Sequence, residues 1–209
     1  MQNPEFLSGD NAGQADDFAE KRVQPRFALL LRSAKLVSSC GEFLCIVRDV
    51  SESGAKLRIF HPVVAGEELA LEIASGERFG VEKVWEREGE AGFRFTDAID
   101  VMRFVAEAGP FPKRPVRVRL NHPATLSYGD FVAAGMIRDL SRQGAKVETE
   151  QRLAIGQTLR LQGDYLPEFE ATVCWRRHPH YGLVFRQLMS MEELALRVHE
   201  VQTQDRDAA

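Results

Sequence analysis

The sequence predicts an all-β fold with accessory helices: two tandem six-stranded antiparallel β-barrels, each followed by a C-terminal helix. Three observations support this prediction. The sequence repeats with a period of 90 residues, each copy contains short apolar segments separated by turn residues, and a segment with helical periodicity follows each copy. A length of 209 residues accommodates two small domains.

The repeat is gapless. Residues 47–95 match residues 137–185 at 14 of 49 positions, and the matches include Arg-Asp-x-Ser-x-x-Gly-Ala-Lys, which begins at Arg48 and again at Arg138. Solenoid repeats are only about 20–50 residues long, so a period of 90 indicates duplication of a whole small domain.

Each copy has the pattern of a small barrel. In the first copy, segments rich in Val, Ile, Leu and Phe predict strands at 29–37, 43–49, 54–59, 68–73, 79–86 and 92–96. The turns between them leave no room for crossover helices, which favours antiparallel pairing. Apolar residues near 3.6 spacing predict helices over 97–108 and 190–203.

We therefore expect a first barrel domain at residues 21–109 and a second at 110–203. Residues 1–20 contain five acidic residues and neither Lys nor Arg, which is typical of a solvated tail. Residues 204–209 are expected to form a short C-terminal tail.

Composition excludes several classes of function. The 27 Lys and Arg against 31 Asp and Glu give a net charge of −4, which argues against binding of long nucleic acid. No apolar run approaches the ~18 residues of a membrane span, and no signal-peptide core is present. Three cysteines without a CxxC pair favour buried thiols in a reducing compartment, so we expect a cytoplasmic protein with no metal site. No catalytic triad elbow, phosphate loop or His-Glu-x-x-His motif is found, which favours a non-catalytic protein without a cofactor.

A turn motif, Asp-x-Ser-x-x-Gly, lies between the second and third predicted strands of each copy and comprises Asp49, Ser51 and Gly54, then Asp139, Ser141 and Gly144. One interpretation is a tight turn that fixes strand register, in which glycine takes a positive φ. The other is a site whose carboxylate and hydroxyl bind the edge of a planar polar ligand.

Basic residues cluster just before the first strand of each copy: Lys21, Arg22 and Arg26, then Lys113, Arg114, Arg117 and Arg119. Such a cluster is either a solvated basic edge or an anion clamp. Its recurrence in both copies favours the clamp, because arginine binds phosphate oxygens and guanine acceptors through a planar fork.

Trp85 and Trp175 occupy equivalent strands. Packing on the barrel is the simpler interpretation, and contact of a partly exposed indole with a ligand or with the neighbouring domain is the alternative.

Together the two motifs resemble the PilZ domain family of bacterial cyclic di-GMP receptors, whose signature is Arg-x-x-x-Arg followed by Asp/Asn-x-Ser-x-x-Gly. The first copy matches in full, with Arg22, Arg26, Asp49, Ser51 and Gly54. The resemblance implies a six-stranded barrel with a C-terminal helix, arginines that hold phosphates and guanines, and an Asp and a Ser that bind a guanine.

The second copy reads Lys113-Arg-Pro-Val-Arg117, so lysine replaces the first arginine unless Arg114 compensates, while Asp139, Ser141 and Gly144 are intact. Lysine keeps the charge and loses the planar fork, which predicts a weaker second site.

The resemblance implies a cyclic di-GMP receptor with a downstream protein partner of unknown identity. Ligand phosphates are expected to draw Arg22 and Arg26 towards Asp49 and Ser51 and to change the arrangement of the two domains. The alternative is a non-catalytic PilZ-like interaction module that has lost ligand binding in one or both copies.

Overall fold

The computed structural model describes residues 27–63, 68–106 and 115–207. They form two closed barrels of six antiparallel strands, as the sequence predicts. Both barrels have the same strand order, first-second-third-sixth-fifth-fourth, so the sequence repeat is also a structural repeat.

The first barrel consists of β1 (Phe27–Ser38), β2 (Gly41–Val50), β3 (Gly54–Ile59), β4 (Ala70–Glu72), β5 (Arg78–Arg87) and β6 (Glu90–Phe95). Side chains alternate between the interior and the outside, as in β3, where Ala55, Leu57 and Ile59 are buried.

The second barrel consists of β7 (Val118–Tyr128), β8 (Phe131–Ser141), β9 (Gly144–Glu148), β10 (Thr158–Gln162), β11 (Phe169–Arg177) and β12 (His180–Phe185). The same alternation buries Leu159 and Leu161 of β10 and exposes the residues between them. It also explains why the prediction of buried cysteines holds for Cys45 and is wrong for Cys174, which points outward from β11.

Each barrel is followed by a helix whose first turn is capped by a side chain. In α1 (Val101–Ala106) the main-chain N–H of Arg103 donates to Asp100 Oδ1 at 3.1 Å, and in α2 (Met191–Asp207) that of Glu193 donates to Ser190 Oγ at 3.0 Å. The first helix starts later than predicted because residues 97–100 form its approach and cap.

The second helix continues to Asp207, into the segment predicted as a tail. The apolar periodicity that predicted this helix runs from Met191 to Val198, but the residues that follow include neither glycine nor proline, so the backbone stays helical.

The two domains contact each other directly: β2 of the first domain packs against α2 and β7 of the second. Leu44 of β2 is 2% exposed and belongs to the hydrophobic cluster of the second domain. Gln202 of α2 accepts from the main-chain N–H of Glu42 at 3.0 Å and donates to its carbonyl at 2.9 Å. His61 and His199 stack across the same boundary with ring centroids 3.9 Å apart. In the described part of the chain, no helix is long and apolar enough to cross a membrane.

Candidate functional site

The first Asp-x-Ser-x-x-Gly motif forms the tight turn between β2 and β3. The main-chain N–H of Ser51 donates to the carbonyl of Gly54 at 2.8 Å, and its hydroxyl donates to the same oxygen at 3.3 Å. Ser51 is buried. The serine therefore shapes the turn from inside. Asp49 is half-buried, and its carboxylate has no hydrogen bond or ion pair within the described residues.

Glycine is required in this turn for a reason other than the one expected. Neither Gly54 nor Gly144 has a positive φ. A Cβ on Gly54 would lie 2.5 Å from the carbonyl oxygen of Phe93, and one on Gly144 would lie 2.0 Å from that of Leu183. The last strand of each barrel passes so close that only glycine fits.

The first turn opens into a cavity of about 300 Å³ on the outside of the barrel. Asp49, Ser51 and Gly54 form one wall, and the other walls include Lys56, Val84, Trp85 and Arg94. The cavity therefore combines one carboxylate, two cations and an indole.

Trp85 is 36% exposed, and its ring covers Gly92 on the adjacent strand. A Cβ on Gly92 would lie 2.0 Å from the indole nitrogen, so this glycine makes room for the ring. Trp175 covers Gly182 in the same way and is 42% exposed. Each indole thus packs on its own barrel and keeps part of its surface free.

Acidic neighbours hold the two cations of the first cavity in place. Lys56 Nζ lies 2.7 Å from a carboxylate oxygen of Glu90. Arg94 donates to Glu82, and this hydrogen bond raises the pKa of the guanidinium group. Both cations therefore border the cavity with part of their charge already compensated.

The second motif forms the same turn between β8 and β9. The hydroxyl of Ser141 is buried and donates to the carbonyl of Gly144 at 3.0 Å. Unlike Asp49, Asp139 has a cationic partner, because Arg117 Nε donates to its Oδ1 at 2.6 Å. The structure thus brings together two residues that the sequence assigned to separate motifs.

Residues of both domains surround this second pair. A cavity of about 380 Å³ is lined by Arg117, Arg119 and Asp139 of the second domain and by Lys35, Glu72 and Arg78 of the first. A ligand held here would contact both domains.

A buried charge cluster lies next to this cavity. Lys35 Nζ is 2.8 Å from Glu42, 3.0 Å from Glu72 and 3.1 Å from the carbonyl oxygen of Arg117. Burial alone raises the pKa of Glu42, but hydrogen bonds from Lys35 and from Arg119 more than offset this and lower it. Glu42 is therefore a carboxylate that stays ionised while buried between the domains.

The remaining predicted site residues, Arg22, Arg26, Lys113 and Arg114, lie outside the described residues. From the sequence, the simpler interpretation of Trp85 was packing on the barrel. The cations Lys56, Arg94, Lys35 and Arg78 were not predicted as site residues. The recurring offset between Trp85 and Gly92 and between Trp175 and Gly182 was a signal that could have placed an indole on the outer surface.

The model of the PilZ domain matches residues 20–105 and again residues 113–200. This chain belongs to the PilZ domain family. It carries two PilZ domains in tandem, and each match includes one complete barrel of the structure.

Several solved structures are similar to this tandem PilZ chain. The PlzA protein of Borreliella burgdorferi in complex with c-di-GMP is 11% identical, with 82% of this chain and 88% of that chain covered and a TM-score of 0.34. The Bacillus subtilis inhibitor of motility, MotI/DgrA, is 13% identical over 84% and 96%, with a TM-score of 0.36. YcgR from Escherichia coli in complex with c-di-GMP is 12% identical over 85% of each chain, with a TM-score of 0.31. No curated protein matches the chain.

Proposed function

We propose that this tandem PilZ protein is a receptor for cyclic di-GMP that binds the ligand without transforming it and passes the signal on through its domain arrangement. The observation that carries the proposal is common to both PilZ domains: the aspartate of the Asp-x-Ser-x-x-Gly motif lines an open cavity that also contains cationic side chains.

In the first domain, the cavity has the groups that a guanine nucleotide requires. The carboxylate of Asp49 accepts hydrogen bonds from guanine N1 and N2, and the exposed part of the Trp85 indole offers a surface for a base. Arg22 and Arg26, by their place in the family motif, hold the phosphates through bidentate contacts. Ser51 acts mainly by fixing the turn.

In the second domain, the ligand competes with an existing ion pair. Asp139 accepts from guanine only if Arg117 releases it or shares it, and Lys113 lacks the fork of arginine. Both features lower the affinity of the second site relative to the first.

The second site also explains how binding is transmitted. Its cavity includes Lys35 and Arg78 of the first domain, and Lys35 holds the carbonyl oxygen of Arg117 across the boundary. A ligand that draws Arg117 away from Asp139 therefore also pulls on the contact between the domains, which couples occupancy to domain arrangement.

A second candidate function is a PilZ-like interaction module in which the second domain does not bind ligand. The closed Arg117–Asp139 pair and the lysine at position 113 favour this alternative for the second domain alone.

Isothermal titration with cyclic di-GMP tests the proposal on the full chain and on Asp49→Ala and Asp139→Ala. We expect saturable binding by the wild type, loss of the tighter phase in Asp49→Ala and loss of the weaker phase in Asp139→Ala. Absence of binding by the wild type contradicts the receptor function, and a single phase unaffected by Asp139→Ala supports the alternative for the second domain.

A further inference from the structure

In the first domain, the outer face of β1 and β2 near their shared hairpin is covered by α2. Lys35, Glu42 and Leu44 point outward from these strands, yet they are only 6%, 5% and 2% exposed. Gln202 of α2 binds both main-chain groups of Glu42, and His199 of the same helix stacks on His61.

The equivalent face of the second domain is uncovered. The hairpin of β7 and β8 closes with the pair Tyr128 and Phe131, 90 positions after Ser38 and Gly41, so the two faces superimpose residue by residue. Val132, which replaces Glu42, is 65% exposed, and Ala134, which replaces Leu44, is also exposed.

The main-chain N–H and C=O of Val132 have no hydrogen-bond partner among the described residues. In a two-residue hairpin the closing pair is hydrogen-bonded, so the next residue directs its N–H and C=O away from the partner strand. Gln202 satisfies these groups at Glu42 in the first domain. At Val132, β9 does not reach them, because its pairing with β8 begins at Met136, and no hydrogen bond of the described residues involves them.

On β7 and β8 the uncovered face has no charge: its outward residues are Thr125, Ser127, Val132 and Ala134, whereas the covered face carries a lysine and a glutamate. At its margin, Arg160 of β10 pairs in register with Ser127, and its guanidinium lies 3.5 Å from the carboxylate of Glu168. A partner that covers it needs a small, apolar contact surface, since a charged side chain would be desolvated there without a counter-charge.

We propose that this face, made of Thr125, Ser127, Val132 and Ala134, is the docking surface for an amphipathic helix of a partner protein. The contact side of that helix is apolar and carries a side-chain amide or hydroxyl that binds the main-chain groups of Val132, as Gln202 does at Glu42. This inference does not depend on the ligand assigned above.

A second copy of this chain is a poorer occupant. The helix that covers such a face is α2, and each copy holds its own α2 against its own first domain. The equivalent helix of the first domain, α1, has six residues in the described part of the chain and packs Phe104 into its own barrel. Neither helix in the described part of the chain is available to cover this face, so we assign the covering helix to another protein.

Site-specific photo-crosslinking tests this proposal in the cells that produce the protein. p-Benzoylphenylalanine is placed at position 132 and, as a matched control, at Ile155, which is 62% exposed on the same domain. We expect a discrete protein adduct from position 132 and none from position 155. The crosslinked partner segment should be helical, and its synthetic peptide should bind the purified full chain.

Val132→Glu should weaken binding of that peptide at least tenfold, while Ile155→Glu should leave it unchanged. Thr125→Glu, at a second exposed position of the same face, replaces Val132→Glu in this test if Val132→Glu does not fold. Both variants of the face should bind cyclic di-GMP as the wild type does, which separates this proposal from the receptor function. No adduct above the control, an adduct between two copies of this chain, or a crosslinked segment that is not helical overturns the proposal.

Discussion

Arg119 of the second PilZ domain donates two hydrogen bonds to the carboxylate of Glu42 in the first domain. Its main-chain N–H lies 2.9 Å from Oε2, and its guanidinium Nε lies 2.6 Å from Oε1. Arg119 is the second residue of β7, and Arg117 of the ligand motif directly precedes that strand, so the boundary between the domains and the second site lie next to each other in the chain.

We expect Glu42→Gln to lower the free energy of unfolding by about 1.5–3 kcal/mol, the usual range for a buried hydrogen bond to a charged group. The substitution removes the charge that compensates Lys35 and Arg119 and keeps the shape of the side chain. Urea denaturation measures the effect. Glu82→Gln, which removes the carboxylate of an exposed pair with Arg94, is the control and should leave the free energy of unfolding nearly unchanged, because solvent screens an exposed ion pair.

The difference between the wild type and Glu42→Gln should depend on pH. The pKa of Glu42 is lower in the folded protein than its usual value of 4.5, so its contribution to stability is fully present above that value and is lost as the pH falls through the lowered pKa. The free energies of unfolding of the wild type and of Glu42→Gln, measured by denaturation from pH 7 down to pH 3, should therefore become equal at the acidic end. A constant difference across this range would show that ionisation of Glu42 is not what stabilises the contact.

Gly54→Ala should destabilise the first domain by roughly 1–3 kcal/mol, the cost of forcing an extra carbon into a closely packed site. The new Cβ would approach the carbonyl oxygen of Phe93, which is part of a paired strand and cannot move alone. Gly80→Ala is the matched control, because its Cβ meets the side chain of Thr96, which can rotate. Equal melting temperatures for the two variants would contradict this explanation of the motif glycine.

Arg22→Ala or Arg26→Ala should weaken binding of cyclic di-GMP about tenfold or more, since a charge-assisted contact contributes roughly 1.5–3 kcal/mol. Arg152→Ala removes an exposed arginine that belongs to neither motif and lines neither of the two motif cavities, and it serves as the control. Calorimetric titration measures all three. Unchanged curves for both motif variants would place the phosphate contacts elsewhere.

Ligand binding should also change the overall shape of the molecule, because the second cavity includes residues of both domains. Small-angle scattering with and without cyclic di-GMP measures this change. Asp139→Ala should reduce the difference between the two profiles, since it disables the site at the boundary. Superimposable scattering profiles for the saturated and the free wild type would contradict a change in domain arrangement and would indicate two passive binding modules.

Much of the fold follows from local patterns. Alternation of apolar residues locates the strands, as in Ala55, Leu57 and Ile59, and the period of 90 residues predicts that the second barrel repeats the first. These features are predictable because they depend on neighbours in sequence or on comparison of the chain with itself.

The contacts between the domains were not predictable in this way. Gln202 binds the main chain of Glu42 across 160 positions, and both are polar residue types that are mostly found at exposed positions, so neither local sequence indicates this contact. The role of Gly54 was also missed, because the strand that approaches it, β6, lies about 40 positions further along the chain.

The two tryptophans allow the central claim, two ligand sites of unequal affinity, to be tested in one measurement. They are the only tryptophans of the chain, Trp85 lines the first cavity, and Trp175 occupies the equivalent position in the second barrel. Trp175→Phe therefore leaves a reporter that lines the first cavity, and Trp85→Phe leaves a reporter on the second barrel, at the position equivalent to Trp85 although outside the lining of the cavity at the domain boundary.

In a fluorescence titration of both single-tryptophan proteins with cyclic di-GMP, the Trp85 signal should saturate at a lower ligand concentration than the Trp175 signal. Adding Lys113→Arg to Trp85→Phe should bring the two saturating ligand concentrations closer together, because it restores the planar guanidinium group in the second motif. Coincident titration curves for the two reporters would contradict the ranking of the sites, and the absence of any response from Trp85 and Trp175 would contradict the account as a whole.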